Sequence, residues 1–570
     1  MSDLVILAKP ARIMRLLDGE TLLSFALLLT LAALVLLPLG YLAFGALSSA
    51  PPHAPDASLT FKNLVDVYAT SRFVEPLLTT LGIGIATGIV STAIGLVLVW
   101  LLVRVAVPGA RVWRVLLTVP LYFSPLMLAF AFVALGAPRV GLVNQVWQAI
   151  GATGSLVNVY SFVGIIFVLS VHYVPYALIV LAGPVEAVGS ELEEAASVLG
   201  SSHLQVARFI VLPLLRPALL STFMIIATMA AENFAVPTLL GRSAHIKTIP
   251  GEIYYMVSAE PTSPNLAAAL GSLLLLIACA GVMGYRWMAK ASDRYVVVTG
   301  KPKRRARTDA GRWRPALPVL LGTYLCCTTL LPLTALVYGS FLPFLGRRMN
   351  LDLLTLRNYE TALRPANLQA LTNSLVLAGL AATICVALGF LVSFCVVRTR
   401  APLRGALDYI SSMSVAIPGM VLGIGMLWAY VGAPMGLWGS IWILLLAYVA
   451  RFVVHPARAV SAGLLQLSRD LDEAGRVLGA SVVRRMLDIS APIVRVPLLS
   501  SWLVVAIFAL NEVTSTVLLY SSQSLTLSIL TWNSLNSIGA MQAFAFAVLQ
   551  GLITMVLVTC VYFLSGKERA

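Results

Sequence analysis

Long, nearly uncharged apolar runs alternate with short polar segments along the whole chain. Six runs lie near 21–47, 77–103, 115–136, 159–182, 217–240 and 265–285. After a basic stretch at 286–314, six more lie near 316–341, 370–397, 409–432, 437–450, 497–520 and 541–565. A bilayer core of about 30 Å is crossed by about 20 helical residues. The pattern therefore predicts an all-α membrane protein with about twelve spans in two sets of six. A signal-peptide core is only about 7–15 residues, so the first run reads as a retained span. The run at 437–450 extends to about 459 if it takes in Arg451 and His455, at its cytoplasmic end.

Two polar islands interrupt this pattern at 190–217 and 470–497. Ser190-x-x-Glu193 reads as a capping box that opens a helix. Gly200 is placed to end that helix in a left-handed cap. Ser202-x-x-Gln205 opens the next helix at once. The prediction is helix, glycine elbow, helix, with Ala195 and Ala196 keeping one face small. Glu194, Gly200, Ile210 and Pro213 recur 279 residues later as Glu473, Gly479, Ile489 and Pro492. Pro213 and Pro217, with Pro492 and Pro497, are expected to fix a bend where each island turns into the fifth span.

These islands resemble the EAA signature of bacterial ABC-importer permeases, EAA-x3-G-x9-I-x-LP. The first copy matches in full at Glu194, Ala195, Ala196, Gly200, Ile210, Leu212 and Pro213. The second carries Glu473, Ala474, Gly479, Ile489 and Pro492, and departs with Gly475 for the second Ala and Ala491 for the Leu. The resemblance implies that both loops are coupling helices docking on a separate ABC ATPase subunit, expected in two copies. An extracytoplasmic solute-binding protein is the other implied partner. The less regular second copy is expected to be the less demanding joint.

The halves match outside these islands too. Pro38 and Gly45 recur as Pro332 and Gly339, Gly95, Arg104 and Pro108 as Gly389, Arg398 and Pro402, and Pro125 as Pro418. The division reads as a first permease half at 1–288, a basic linker at 289–315 and a second half at 316–570. Six spans per half make the repeat parallel, about an axis along the membrane normal.

Composition agrees: 59% of the 570 residues are hydrophobic and 11% charged, against about 25% charged in soluble domains. The net charge of +15 raises nucleic acid as a partner, but its distribution argues for the lipid bilayer instead. With a cytoplasmic N-terminus, thirty of the 39 Lys and Arg residues fall on the cytoplasmic side. The positive-inside rule then places both termini and both islands there, as expected of a multi-pass protein of a bacterial inner membrane. The six cysteines lie in apolar runs without a C-x-x-C and read as small buried hydrophobes. The five histidines show no ligand spacing, so neither a metal nor another cofactor is expected.

No G-x-x-x-x-G-K-[ST] occurs, so no phosphate-binding loop of that kind is present. ATP hydrolysis is expected on another polypeptide, and no catalytic residue in this chain. Glu232 and Glu512 each lie about sixteen residues into a fifth span. A carboxylate at that depth faces a partner or an aqueous path. With Asn233 and Asn511 they form the candidate path. Within the resembled family the chain looks like fused permeases for ferric iron, thiamine or aminoethylphosphonate, with AENFAVPTLLG and RYVVVTGK pointing to ferric iron first. The alternative is a secondary active transporter of 6+6 topology, which has no need of a glycine elbow before each fifth span.

Overall fold

The computed structural model describes residues 19–51, 54, 57–188, 196, 198–293, 311–346, 350–431, 436–466, 468, 470–534 and 540–566. Glu194, Ala195, the Ser190–Glu193 box and most of the basic linker lie outside these. Among the described residues, nine helices are long and apolar enough to cross a bilayer, and three bent helix pairs raise the number to as many as twelve. Spans 1 to 6 are Gly19–Leu47, Ser71–Arg104, the pair Ala110–Tyr122 and Pro125–Gly136, Phe162–Ala187, Ala207–Ala231 and Pro264–Ala289. Spans 7 to 12 are Gly311–Ser340, Pro365–Arg398, the pair Arg404–Ala416 and Gly419–Tyr430, Ile441–Leu465, the pair Val482–Ile493 and Arg495–Leu510, and Met541–Val561.

Spans 3 and 9 bend by 98° and 108°, and proline is the cause. A proline ring pushes the preceding residue out of the helical region. Ser124, before Pro125, has ψ 136°, and Ile417, before Pro418, has ψ 111°. The fifth spans differ from the expected symmetry. Span 11 bends by 79° at Val494, which leaves helical geometry with ψ 19°. Span 5 runs on unbroken through Pro217, after a π turn at Ala207–Val211. Span 10 also corrects the sequence reading. It runs from Ile441 to Leu465, so Arg451 and His455 sit near its middle and not at its end.

The halves are built alike. Span 2 packs on spans 4 and 5, and span 8 on spans 10 and 11. The repeated glycines permit this approach. A Cβ on Gly95 would lie 2.4 Å from Ala177 Cβ, and one on Gly389 2.8 Å from Ala457 N. First spans are exchanged: span 1 packs on the second limb of span 9, and span 7 on that of span 3. Of the cysteines, Cys385 and Cys395 are buried, whereas Cys327 and Cys560 are exposed. An outward apolar side chain is no anomaly where lipid replaces water.

Candidate coupling joints and translocation path

Gly200 and Gly479 both have left-handed backbone, with φ of +86° and +77°. Glycine adopts that region without the Cβ penalty. Each elbow closes with the same bond. Ser201 N–H donates to Ala196 O at 3.0 Å, and Ala480 N–H to Gly475 O at 2.9 Å. This is the Schellman ending of a helix. A serine opens the next helix. Ser202 N–H donates to Gln205 Oε1 at 2.8 Å and Gln205 N–H to Ser202 Oγ at 3.3 Å, the reciprocal box read from the sequence. In the second copy Ser481 Oγ accepts from Arg484 N–H at 3.3 Å.

Each elbow ends in an apolar tip. Val198 and Leu199 are 86% and 85% exposed, Val477 and Leu478 87% and 85%. Burying such a side chain is worth about 1.5–3 kcal/mol, so a tip of this kind gains by being covered. Glu473 and Ala474 are exposed on the helix Asp470–Val477. Ala196 is buried, and Ile210 and Ile489 are half-buried beneath the joints. Pro213 and Pro492 stand in the helices that lead into the fifth spans.

Two arginines that the sequence shows only as repeat markers hold these joints. Arg104 ends span 2, is buried, and donates to Val185 O at 2.7 Å and Val188 O at 3.1 Å. Arg398 ends span 8 and donates to Leu464 O at 2.8 Å and Ser468 O at 3.1 Å. It also lies 3.3 Å from Asp472, in the first turn of the helix Asp470–Val477. The second-span ends are thus tied to the fourth spans just before each joint.

The Gly475 departure has a steric reason. A Cβ there would lie 3.0 Å from Ile489 Cδ1 and 3.3 Å from Arg485 Cγ. Arg485 is buried and donates to Glu20 Oε1 at 2.6 Å. The first copy has Val206 in place of Arg485, and there Ala196 fits.

The intramembrane acids differ in their surroundings. Glu512 Oε1 accepts from Arg451 Nη1 at 2.8 Å, from Ser515 N–H at 2.8 Å and from Ser515 Oγ at 3.0 Å. Gly419 leaves the room this needs, since a Cβ there would overlap Arg451 Nη1. Asn511 is also held: its Nδ2 donates to Tyr122 O at 3.1 Å across the seam between halves, and its Oδ1 accepts from Gln550 at 2.8 Å. In the first half, His172, Leu126 and Asn233 replace Arg451, Gly419 and Glu512. Asn233 Oδ1 accepts from Val236 N–H at 3.1 Å. Glu232 is half-buried at the end of its helix. Among the described residues no group of three metal-ligating side chains converges.

Opposite the joints, a cavity of about 640 Å³ opens between the halves, lined in part by Tyr160, Thr238, Arg242, Tyr255 and Trp532. Trp532 Nε1 donates to Tyr254 OH at 3.1 Å, and its ring packs tilted against Phe234 with centroids 4.8 Å apart, both partners from the other half. Burial raises the Tyr255 phenol above its ordinary value, against the opposing pull of Arg242.

A duplicated helical membrane bundle, with an equivalent elbow before each fifth span and a polar seam between its halves, is a permease subunit by architecture. The chain belongs to the family of binding-protein-dependent transport system inner membrane components, whose profile matches residues 106–294 and 385–566. It is 28% identical over 443 residues to the ferric transport system permease protein FbpB of Actinobacillus pleuropneumoniae, a match covering 77% of this chain and 63% of that protein. A putative ferric transport system permease protein, FbpB 1, of Haemophilus influenzae is also 28% identical, over 77% of this chain and 69% of its own length. The sulfate transport system permease protein CysT of Salmonella typhimurium is 25% identical, over 46% of this chain and 89% of its own. A solved bacterial ABC transporter involved in alginate import aligns at 17% identity and a TM-score of 0.35, covering 51% of this chain and 94% of that one.

Proposed function

We propose that this chain forms the membrane channel of an ATP-driven importer, with residues 1–288 and 316–570 acting as its two permease halves. Separate ATPase subunits dock on the elbows at Gly200 and Gly479, and a solute-binding protein delivers cargo to the cavity between the halves. Both termini and both elbows face the cytoplasm. The observation that carries this reading is the pair of matching apolar tips, Val198–Leu199 and Val477–Leu478, each presented by a left-handed glycine. A secondary transporter gives such tips no partner.

Glu232 is the acid that faces the path, and Glu512 is held by Arg451 as part of the wall. Ferric ion is the proposed cargo, supported by the names of two relatives at 28% identity. The test is reconstitution in vesicles with a candidate ABC ATPase subunit and a ferric-ion-binding protein from the same source. ATP-dependent uptake of radioactive ferric ion is expected, with no uptake when ATP is withheld. Uptake of sulfate or aminoethylphosphonate in its place would keep the importer and replace the cargo. Uptake driven by an ion gradient without ATP would overturn the importer.

A further inference from the structure

Glu20 and Arg485 are 465 residues apart and belong to different halves, yet their side chains meet at 2.6 Å with each less than 10% exposed. Glu20 lies at the start of span 1. Arg485 lies six residues past the second elbow. Their neighbourhood is continuous. Leu23 packs against the cluster of Phe390, Phe394, Val460, Leu464 and Met486. Gly19 lies beside Val482, which a Cβ on it would meet at 3.9 Å. The opening turn of the first half is therefore built into the second half's coupling segment.

Among the described residues the mirror pair is not formed. By the repeat, Glu20 corresponds to Arg314, Arg485 to Val206 and Gly475 to Ala196. Arg314 is exposed, and Val206 and Ala196 are buried apolar residues. A buried ion pair is retained at a desolvation cost, and its better-attested use is to fix one arrangement among several.

We propose that Glu20 and Arg485 are positioning residues which clamp the second coupling segment to span 1, so that the second ATPase joint is the rigid one and the first the yielding one. This rests on the coupling reading of the elbows. Movement of the second ATPase subunit then passes directly into span 1, and through span 1 into span 9, on which it packs. One joint acts as a fixed lever and the other follows.

The test uses the complete complex in vesicles and reads chain level, bound ATPase, and ATP hydrolysed per substrate imported. Glu20→Gln leaves the tips intact, so ATPase binding is expected to stay within about twofold of the unaltered complex. The ratio of ATP hydrolysed to substrate imported is expected to rise by roughly fivefold or more, which is the size of an ordinary coupling energy. The reversed pair, Glu20→Arg with Arg485→Glu, is expected to restore the ratio. An unchanged ratio in Glu20→Gln at normal chain level overturns the clamp. If the single variants fail to fold, the volume-matched pair Glu20→Gln with Arg485→Met decides. A high ratio in that pair supports the clamp, and a normal ratio leaves only a packing role. Hydrogen exchange of the unaltered complex gives an answer that needs no variant. The clamp requires residues 478–490 to be protected more strongly than 199–211, and equal protection overturns it. Leu199→Asp with Leu478→Asp is the control. If that variant still binds the ATPase normally, the coupling reading falls and the clamp with it. If it loses the ATPase while Glu20→Gln keeps its ratio, the clamp alone falls.

Discussion

The two halves share a backbone plan at the joints and differ in what they bury beneath it. Each joint has a left-handed glycine, the same closing bond and an exposed Val–Leu tip. Deeper in, the second half places arginines where the first is neutral or apolar: Arg451 for His172 and Arg485 for Val206. Each arginine is matched by an acid and by a small residue that makes room. Arg451 has Glu512 and Gly419, and Arg485 has Glu20 and Gly475. The exposed tips kept their form. The buried wall diverged, and it did so in compensated sets.

The largest expected effect follows from splitting such a set. Glu512→Ala leaves Arg451 charged and half-buried within span 10 without its partner, a change expected to cost up to about 3–5 kcal/mol, the range for breaking a buried pair. Thermal unfolding of the purified chain is expected to show it. Arg451→His with Glu512→Asn transplants the first-half residues and is expected to recover most of the loss. Equal destabilisation by the single and double variants would break the idea of compensated sets.

Next in size is Gly419→Ala. Its Cβ overlaps the Arg451 guanidinium, and overpacking of this kind costs about 1–3 kcal/mol. Adding Arg451→His removes the most severe overlap and leaves only a close approach of 3.0 Å to Thr514 Cβ, so most of the stability is expected to return. If the glycine is needed only for its backbone, the second change will not help, and that outcome separates the two explanations.

Gly200→Val and Gly479→Val come next. Alanine at a left-handed glycine costs about 1 kcal/mol, and valine more. The sequence suggested a more tolerant second elbow because its motif is less regular. The structure gives no steric reason for that. The two φ values are similar, and a Cβ at either glycine meets nothing within 4 Å. Both variants are expected to reach the membrane at similar levels and to lose bound ATPase alike, read by copurification. A much milder Gly479→Val would restore the asymmetry.

The smallest effect on stability is expected at the tips. Leu199→Asp and Leu478→Asp change exposed side chains, so unfolding is expected to move by less than about 0.5 kcal/mol. Their effect belongs to docking, and a large loss of stability would show that the tips pack within the chain.

The elbows were legible because their signals are local. A glycine after a helix, and a serine two residues behind it, specify backbone geometry without reference to the rest of the chain. The bends at Pro125 and Pro418 were legible for the same reason. Arg451 was misplaced because a charge ends an apolar run, although span 10 continues to Leu465. Its partner removes that penalty, and the partner is 61 residues away. The Glu20–Arg485 pair left no local trace at all. One signal was available in the repeat: Gly475, where the family pattern has Ala, lies ten residues from the arginine it accommodates. A departure toward a smaller residue marked a larger one nearby, and the second glycine, Gly419, follows the same rule.

The central claim is that two equivalent elbows join this chain to a separate ATPase. It is tested most directly by placing a single cysteine at Leu199 or at Leu478, in a chain whose native cysteines are replaced, and cross-linking the assembled complex. Each position is expected to yield a cross-link to the ATPase subunit at comparable level, with the yield changing when ATP is added. Cross-links confined to lipid or to this chain itself, at either position, would contradict it.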